Sequence, residues 1–330
     1  MTDYIVKRII MLVPVVLMVQ FFVFTILYLS PGDPTVAILG ENVHPDDRNT
    51  LREEMGLNDP FIEQLGRYIG GVFRGDFGSS YVSQTPVLPD LLQRFPVTLL
   101  LASLSMCIMV IIGLPIGIIS AVKQYSLGDT ALTTLTMILV SMPTFWTGLL
   151  LIMLFSLTLG WLPPSGWFGP TNWIMPSLAI GLSNMGYMGR TTRSSMLEVI
   201  RQDYVRTARA KGMKELNIIF KHILRNSLIP ILTVFGNQLG VNLAGSMITE
   251  QVFSIPGIGT YMFTAINRRD YPVVLGCVLF IAIIFTLLNL IIDIIYAFID
   301  PRIKEQYKMK SIHIFKLKKH SNMKLETLNI

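Results

Sequence analysis

The sequence predicts an all-α polytopic membrane protein with six transmembrane helices, and three observations carry that prediction. Apolar residues make up 52% of the 330 positions and charged residues only 15%, against about 25% charge in soluble domains. Mean hydropathy is +0.55. Six mostly apolar runs occur, at roughly 9–29, 97–121, 131–159, 173–189, 228–249 and 272–299, near the ~20 residues a helix needs to cross ~30 Å of hydrocarbon.

The first run is too long for a cleaved signal peptide, and no small-x-small site follows it, so it is expected to stay as a span. The fourth is the shortest and relies on its flanks. Placing both termini on one side puts twenty Lys and Arg residues there and seven on the other side. The positive-inside rule then makes the N and C termini cytoplasmic. The chain divides accordingly: 1–30 is a cytoplasmic N-terminus with the first span, and 31–96 is an external cap region. Residues 97–300 form a five-helix core with a cytoplasmic loop at 190–227, and 301–330 is a basic cytoplasmic tail. The segment 30–96 holds ten acids against five bases. Its helix-like stretches 46–55 and 60–73, with Leu51, Met55, Leu57, Ile62, Leu65 and Ile69 in a periodic pattern, predict a small folded cap rather than a flexible loop.

Several function classes are disfavoured by what the chain contains. Cys107 and Cys277 sit in apolar runs and cannot form a disulfide framework or a four-ligand zinc site. His44, His222, His313 and His320 are scattered, so no metal site is expected. The net charge of +6 fits basic cytoplasmic loops against lipid better than nucleic acid. No GxxxxGK[ST] phosphate loop occurs. Asp293 is the ionisable residue clearly within a span. It lies about two turns from the cytoplasmic end, where a structural ion pair or hydrogen bond is the expected role. A proton relay, and with it a proton-coupled secondary carrier, is the alternative, and a scaffold without transport is a further one. No nucleophile–base pair marks an enzyme.

The most informative stretch is the basic, helix-prone segment Asp203-Tyr204-Val205-Arg206-Thr207-Ala208-Arg209-Ala210-Lys211-Gly212. Asp203 is expected to cap a short helix at about 204–211, and Gly212 to end it. Arg209 and Lys211 lie in the last turn, where the helix dipole favours cations. A helix this short needs a partner surface. Val205 and Ala208 share a side small enough for another protein to approach closely.

This segment, followed by His222-Ile-Leu-Arg-Asn-Ser-Leu-Ile-Pro230, resembles the cytoplasmic coupling loop of permease subunits of the oligopeptide/dipeptide (peptide/nickel) family of ABC importers. Leu29-Ser-Pro-Gly-Asp-Pro34, Arg74-Gly-Asp-Phe-Gly-Ser-Ser80, Arg94-Phe-Pro-Val-Thr98, Pro256-Gly-Ile-Gly259 and Arg269-Asp-Tyr-Pro272 resemble that family's other motifs in the same order. So does the series Asn289, Asp293, Tyr296 and Asp300-Pro-Arg302. The broad importer pattern Glu-Ala-Ala is replaced here by Arg206-Thr207-Ala208, so no role passes to the missing acid.

The resemblance implies an ABC importer type I permease core in a bacterial or archaeal cytoplasmic membrane, forming half of a peptide pathway. It implies a second homologous permease and two ATPases that bind ATP and Mg, leaving this chain without cofactor or catalysis. An extracellular or periplasmic binding protein would deliver cargo. Nickel or metal chelates, glutathione and oligosaccharide are alternative cargoes. In the fifth run Gln238, Asn242, Gly245 and Thr249 fall within about 60° on a helical wheel and are expected to line the pore. Thr233, Asn237, Gly240 and Ala244 form a second stripe expected to pack on a neighbouring helix. Pro256, Gly257 and Gly259 are expected in an external gate loop.

Overall fold

The computed structural model describes residues 2–40, 43–244 and 246–299. Gly245 and the tail from residue 300, with His313 and His320, lie outside the described residues.

Each predicted run is helical, but the runs are not six straight rods. Helix α1 (Thr2–Leu29) contains the first run. Three short helices follow: α2 (Pro34–Leu39), α3 (Pro45–Glu54) and α4 (Phe61–Val72). The last two match the expected cap helices to within one or two residues. Phe61 meets Phe21, Phe24 and Tyr28 edge to face, which lays α4 on α1. Leu65 is buried, but Ile62 is exposed.

Helix α5 (Val87–Ile108) begins ten residues before the predicted span and passes through Pro96. A wide π turn, Met109–Gly113, joins it to α6 (Leu114–Val122). The third run breaks. Helices α7 (Leu127–Ser141) and α8 (Thr144–Leu151, continued by a π segment at Ile152–Thr158) meet at a bend of 101°. Pro143 lies in the break, lacks the N–H that a continuous helix requires, and leaves Met142 in extended conformation.

Helix α9 (Pro170–Ile200) has 31 residues. At ~1.5 Å per residue it is about 46 Å long, well beyond a ~30 Å hydrocarbon core. The supposed loop 190–227 is therefore a helix continuation followed by α10 (Asp203–Ala210) and α11 (Glu215–Asn217). A π segment, Ile218–Leu224, leads into α12 (Arg225–Leu243). The fifth run stops at Leu243; Thr249 belongs to a separate helix, α13 (Met247–Val252). Helices α14 (Ile258–Asn267) and α15 (Tyr271–Ile299) complete the described chain. Among the described residues, three helical stretches are long and apolar enough to cross a membrane: Val87–Val122, Glu215–Leu243 and Tyr271–Ile295. The bent α7–α8 pair qualifies jointly.

Helix α9 is the centre of the packing, touching α5, α6, α7, α8 and α12. It approaches them through glycines. A Cβ on Gly181 would fall 2.7 Å from the Ile108 side chain, and one on Gly186 would fall 2.6 Å from the Thr136 carbonyl oxygen. From the other side, a Cβ on Gly117 of α6 would fall 2.6 Å from the Gly189 carbonyl oxygen. Lipid tails supply no hydrophobic drive between helices, so close small-residue contact provides the cohesion.

Candidate coupling surface, pathway and loop

Helix α10 is held against the chain by its two small residues. Val205 is fully buried and Ala208 is 7% exposed. They pack with Ala121 at the end of α6, Met196 of α9, and Ile218, Ile219 and Ile223 of the π segment. This corrects the expectation that Val205 and Ala208 form the outer contact face. Apolar side chains on so short a helix are worth more buried against the adjoining helices than left open.

The outward face carries Tyr204, Arg206, Thr207, Ala210 and Lys211, all exposed. Tyr204 accepts a hydrogen bond from Asn226 Nδ2 at 3.2 Å. Arg209 is committed within the chain: its guanidinium lies 2.7 Å from a Glu215 carboxylate oxygen. Arg206 lies 3.9 Å from Asp203 with both side chains exposed.

The caps differ from expectation at one end only. Gln202, not Asp203, is the N-cap residue, and its side chain makes no capping bond. Asp203 is the first helical residue, where its charge still suits the helix dipole. At the other end Gly212 has φ of +74°. Its N–H donates to the Arg209 carbonyl at 2.9 Å and the Met213 N–H to the Ala208 carbonyl at 3.3 Å, the paired bonds of a Schellman stop.

Of the pore stripe, Gln238 is half-buried, whereas Asn242 and Thr249 are buried within this single chain. Asn242 accepts from Asn184 Nδ2 at 3.3 Å and donates to Met106 Sδ at 3.4 Å. Thr249 donates to Thr144 Oγ1 at 3.5 Å. The wheel that aligned Thr249 with Gln238 assumed one helix, and the break after Leu243 removes that register. Gly240 does meet a neighbouring helix, since a Cβ there would strike the Phe285 ring of α15 at 2.4 Å. Thr233, Asn237 and Ala244 of the same stripe are exposed.

The Pro256-Gly-Ile-Gly259 segment wraps a carboxylate that sequence reading did not single out. Glu250 is completely buried. It accepts from Thr98 Oγ1 and from the Thr260 N–H, both at 2.9 Å, and Thr98 Oγ1 in turn accepts from the Ile258 N–H at 2.9 Å. A Cβ on Gly257 would fall 2.5 Å from either Glu250 oxygen, and one on Gly259 would fall 2.8 Å from Met247 Cα. Both glycines are thus required by close approach. Nearby, Asp270 accepts from the Tyr81 N–H at 3.0 Å and from Ser80 Oγ, tying the segment before α5 to the start of α15. Thr98 and Glu250 stand 152 positions apart, so only the fold brings them together. A second missed contact, Arg193 with Asp129, joins α9 to α7.

Residues 113–305 match the family described as the binding-protein-dependent transport system inner membrane component. Residues 1–102 match the N-terminal region of such components. This chain belongs to that family. It is a transporter permease, an inner membrane component of a transport system. The dipeptide transport system permease of Alkalihalophilus pseudofirmus is 40% identical over 332 residues, covering 92% of this chain and 100% of that protein. The oligopeptide transport system permease of Bacillus subtilis is 38% identical over 315 residues, with 92% and 100% covered. The glutathione transport system permease of Salmonella paratyphi A is 41% identical over 304 residues, with 92% and 99% covered. A solved inward-facing structure of the MetNI methionine ABC transporter shares the permease fold, with a TM-score of 0.53 at 18% identity, covering 64% of this chain and 96% of that one. Membership in this family implies partner ATPases and substrate-binding proteins.

Proposed function

We propose that this permease forms half of a peptide-import pathway and receives mechanical work through the outward face of α10. A second homologous permease completes the pathway, two ATPases supply ATP and Mg chemistry, and an external binding protein delivers cargo. This chain itself holds no nucleotide or metal and catalyses nothing. Both termini and α10 are cytoplasmic, and the Pro256, Gly257 and Gly259 segment is on the external side, where it serves as a gate. Peptide cargo is supported by the names of relatives near 40% identity. Glutathione, transported by another relative's system, is itself a tripeptide and falls in the same class.

The observation that carries the coupling reading is the two-sidedness of α10. Its small face is locked to α6, α9 and the π segment that leads into α12, while its other face is left exposed. A cleft in an ATPase that grips Tyr204, Arg206, Thr207, Ala210 and Lys211 would therefore displace those helices as one body. Asp203 and Gly212 delimit the handle, and Val205, Ala208 and Arg209 fasten it from within. Gln238 of α12 is the pathway-lining residue; Asn242 of α12 and Thr249 of the separate helix α13 support the wall behind it.

The test is reconstitution in vesicles with the partner ATPases and binding protein, scoring uptake of labelled di- and tripeptides. Thr207→Trp with Ala210→Trp is expected to abolish ATP-driven uptake while leaving the permease folded. Unchanged uptake would overturn the coupling reading.

A further inference from the structure

We infer that the Arg193–Asp129 pair is a positioning clasp that makes α7 move with α9 when α10 is displaced. The inference rests on the proposed role of α10, and it names residues that the α10 handle does not contain.

The geometry is that of a two-pronged, fully engaged pair. Arg193 Nε lies 2.8 Å from Asp129 Oδ1 and Nη2 lies 2.9 Å from Oδ2, the fork that fixes direction as well as distance. Asp129 is 4% exposed. Its carboxylate also accepts from the Tyr125 N–H at 3.0 Å and from Thr133 Oγ1 at 3.2 Å. Its own N–H donates to Ser126 Oγ at 3.1 Å, capping α7. Tyr125 sits at φ of +64°, a left-handed conformation costly for a bulky residue, and the bond to Asp129 holds it there. One carboxylate thus gathers the α6–α7 turn, the first turn of α7 and the guanidinium from α9.

Its place in the fold gives this clasp a consequence. Arg193 is one turn from Met196, which packs on Val205 of α10. Asp129 is at the base of α7, whose far end turns 101° at Pro143 into α8. Helix α8 then meets the other end of the molecule: Thr144 is bonded to Thr249, and Gly148 lies under the Phe253 ring, where a Cβ would be 2.9 Å away. Along its length α7 touches α9 through Gly186 and Gly189, against Thr136 and Val140. Such close-packed contacts hold the helices together without directed bonds, whereas a two-pronged ion pair fixes direction as well as distance. The clasp is the connection that passes a shift of α9 to α7 and, through the Pro143 corner, to α13.

The test uses the reconstituted transporter with its ATPases and binding protein, reading peptide uptake and ATP hydrolysis together. Replacing both partners with neutral, hydrogen-bonding residues, Asp129→Asn with Arg193→Gln, avoids the uncompensated buried charge that makes removal of a single partner costly. Assembly and basal ATP hydrolysis are expected to stay at wild-type level, while peptide imported per ATP falls about fivefold or more, the low end of coupling between sites. Arg193→Lys, which keeps the charge and loses the fork, is expected to fall between. Wild-type uptake per ATP in the double variant would overturn the inference, as would a loss of uptake matched by an equal loss of assembled complex. Wild-type coupling in the clasp variant beside lost uptake in Thr207→Trp/Ala210→Trp would remove the clasp alone. Full uptake in both would remove the α10 reading as well.

Discussion

At the α10 end of the permease a short helix is docked by methyl groups: Val205 and Ala208 lie among isoleucines, a methionine and an alanine. At the α14 end the equivalent fastening is a carboxylate, Glu250, enclosed by a threonine hydroxyl, backbone N–H groups and two glycines. These lie toward opposite ends of the continuous stretch Val87–Val122, with Thr98 near one end and Ala121 at the other. Apolar docking is nondirectional, and its strength grows with area. A buried carboxylate with directed donors has one good geometry and fails sharply outside it. The first suits a part that is pushed, and the second suits a part that must be either latched or open.

The sharpest way to break this comparison is Glu250→Ala. It strands the Thr98 hydroxyl and the Thr260 N–H without an acceptor, at about 1–3 kcal/mol each, so a loss of about 2–6 kcal/mol is expected. Thermal unfolding of the purified permease should show it. A change below about 1 kcal/mol would mean that the carboxylate is incidental to the loop. Glu250→Gln keeps one acceptor and should cost less than the alanine.

The corresponding cut at the other end is milder. Val205→Ala removes two buried methyl groups and should cost about 2 kcal/mol, read as faster proteolysis or hydrogen exchange across 203–212. The loss should be graded with the buried carbon removed, larger for Val205→Gly than for Val205→Ala, because area rather than geometry sets it. An all-or-none response would contradict the contrast with Glu250.

The limits of sequence reading follow the same division. The length of the apolar runs located α1 and α15, and repeating apolar spacing located α3 and α4. Gly212 was legible because a left-handed stop demands glycine locally. The break at Pro143 and the end of α12 were hidden inside unbroken apolar runs, where composition stays constant while the backbone turns. The π segments carry no residue signature of their own. The polar contacts were least visible. Thr98 with Glu250, Asp129 with Arg193, and Ser80 with Asp270 are separated by 152, 64 and 190 positions. Each partner alone resembles an ordinary loop or helix-end residue. The inward face of α10 was misjudged for a related reason: two small residues on one side of a helix mark a close contact, but whether with a neighbouring protein or with the same chain is decided by tertiary packing.

A third carboxylate, Asp33, tests whether burial or mere pairing makes such a group matter. It accepts from the Thr35 N–H at 3.0 Å, capping α2, and from Arg52 Nη1 at 2.8 Å. Its side chain is 19% exposed and that of Arg52 is 37% exposed. Burial pushes the Asp33 carboxyl up, but the Thr35 and Arg52 hydrogen bonds and the guanidinium charge outweigh it and hold the group below its ordinary value. A carboxyl depressed on folding stabilises the folded state above its unfolded pKa, and that contribution is lost as pH falls through the folded value. The effect therefore appears only below about pH 4. Water screens the pair through Arg52, so about 0–1 kcal/mol is expected. Asp33→Asn should lower the unfolding temperature slightly at neutral pH, and the gap to wild type should close on acidification, since protonation makes the wild type resemble the variant. A gap that persists at pH ~3 would assign the effect to the lost cap geometry rather than to charge. A gap as large as that of Glu250→Ala would show that pairing, and not enclosure, separates the two ends of the molecule.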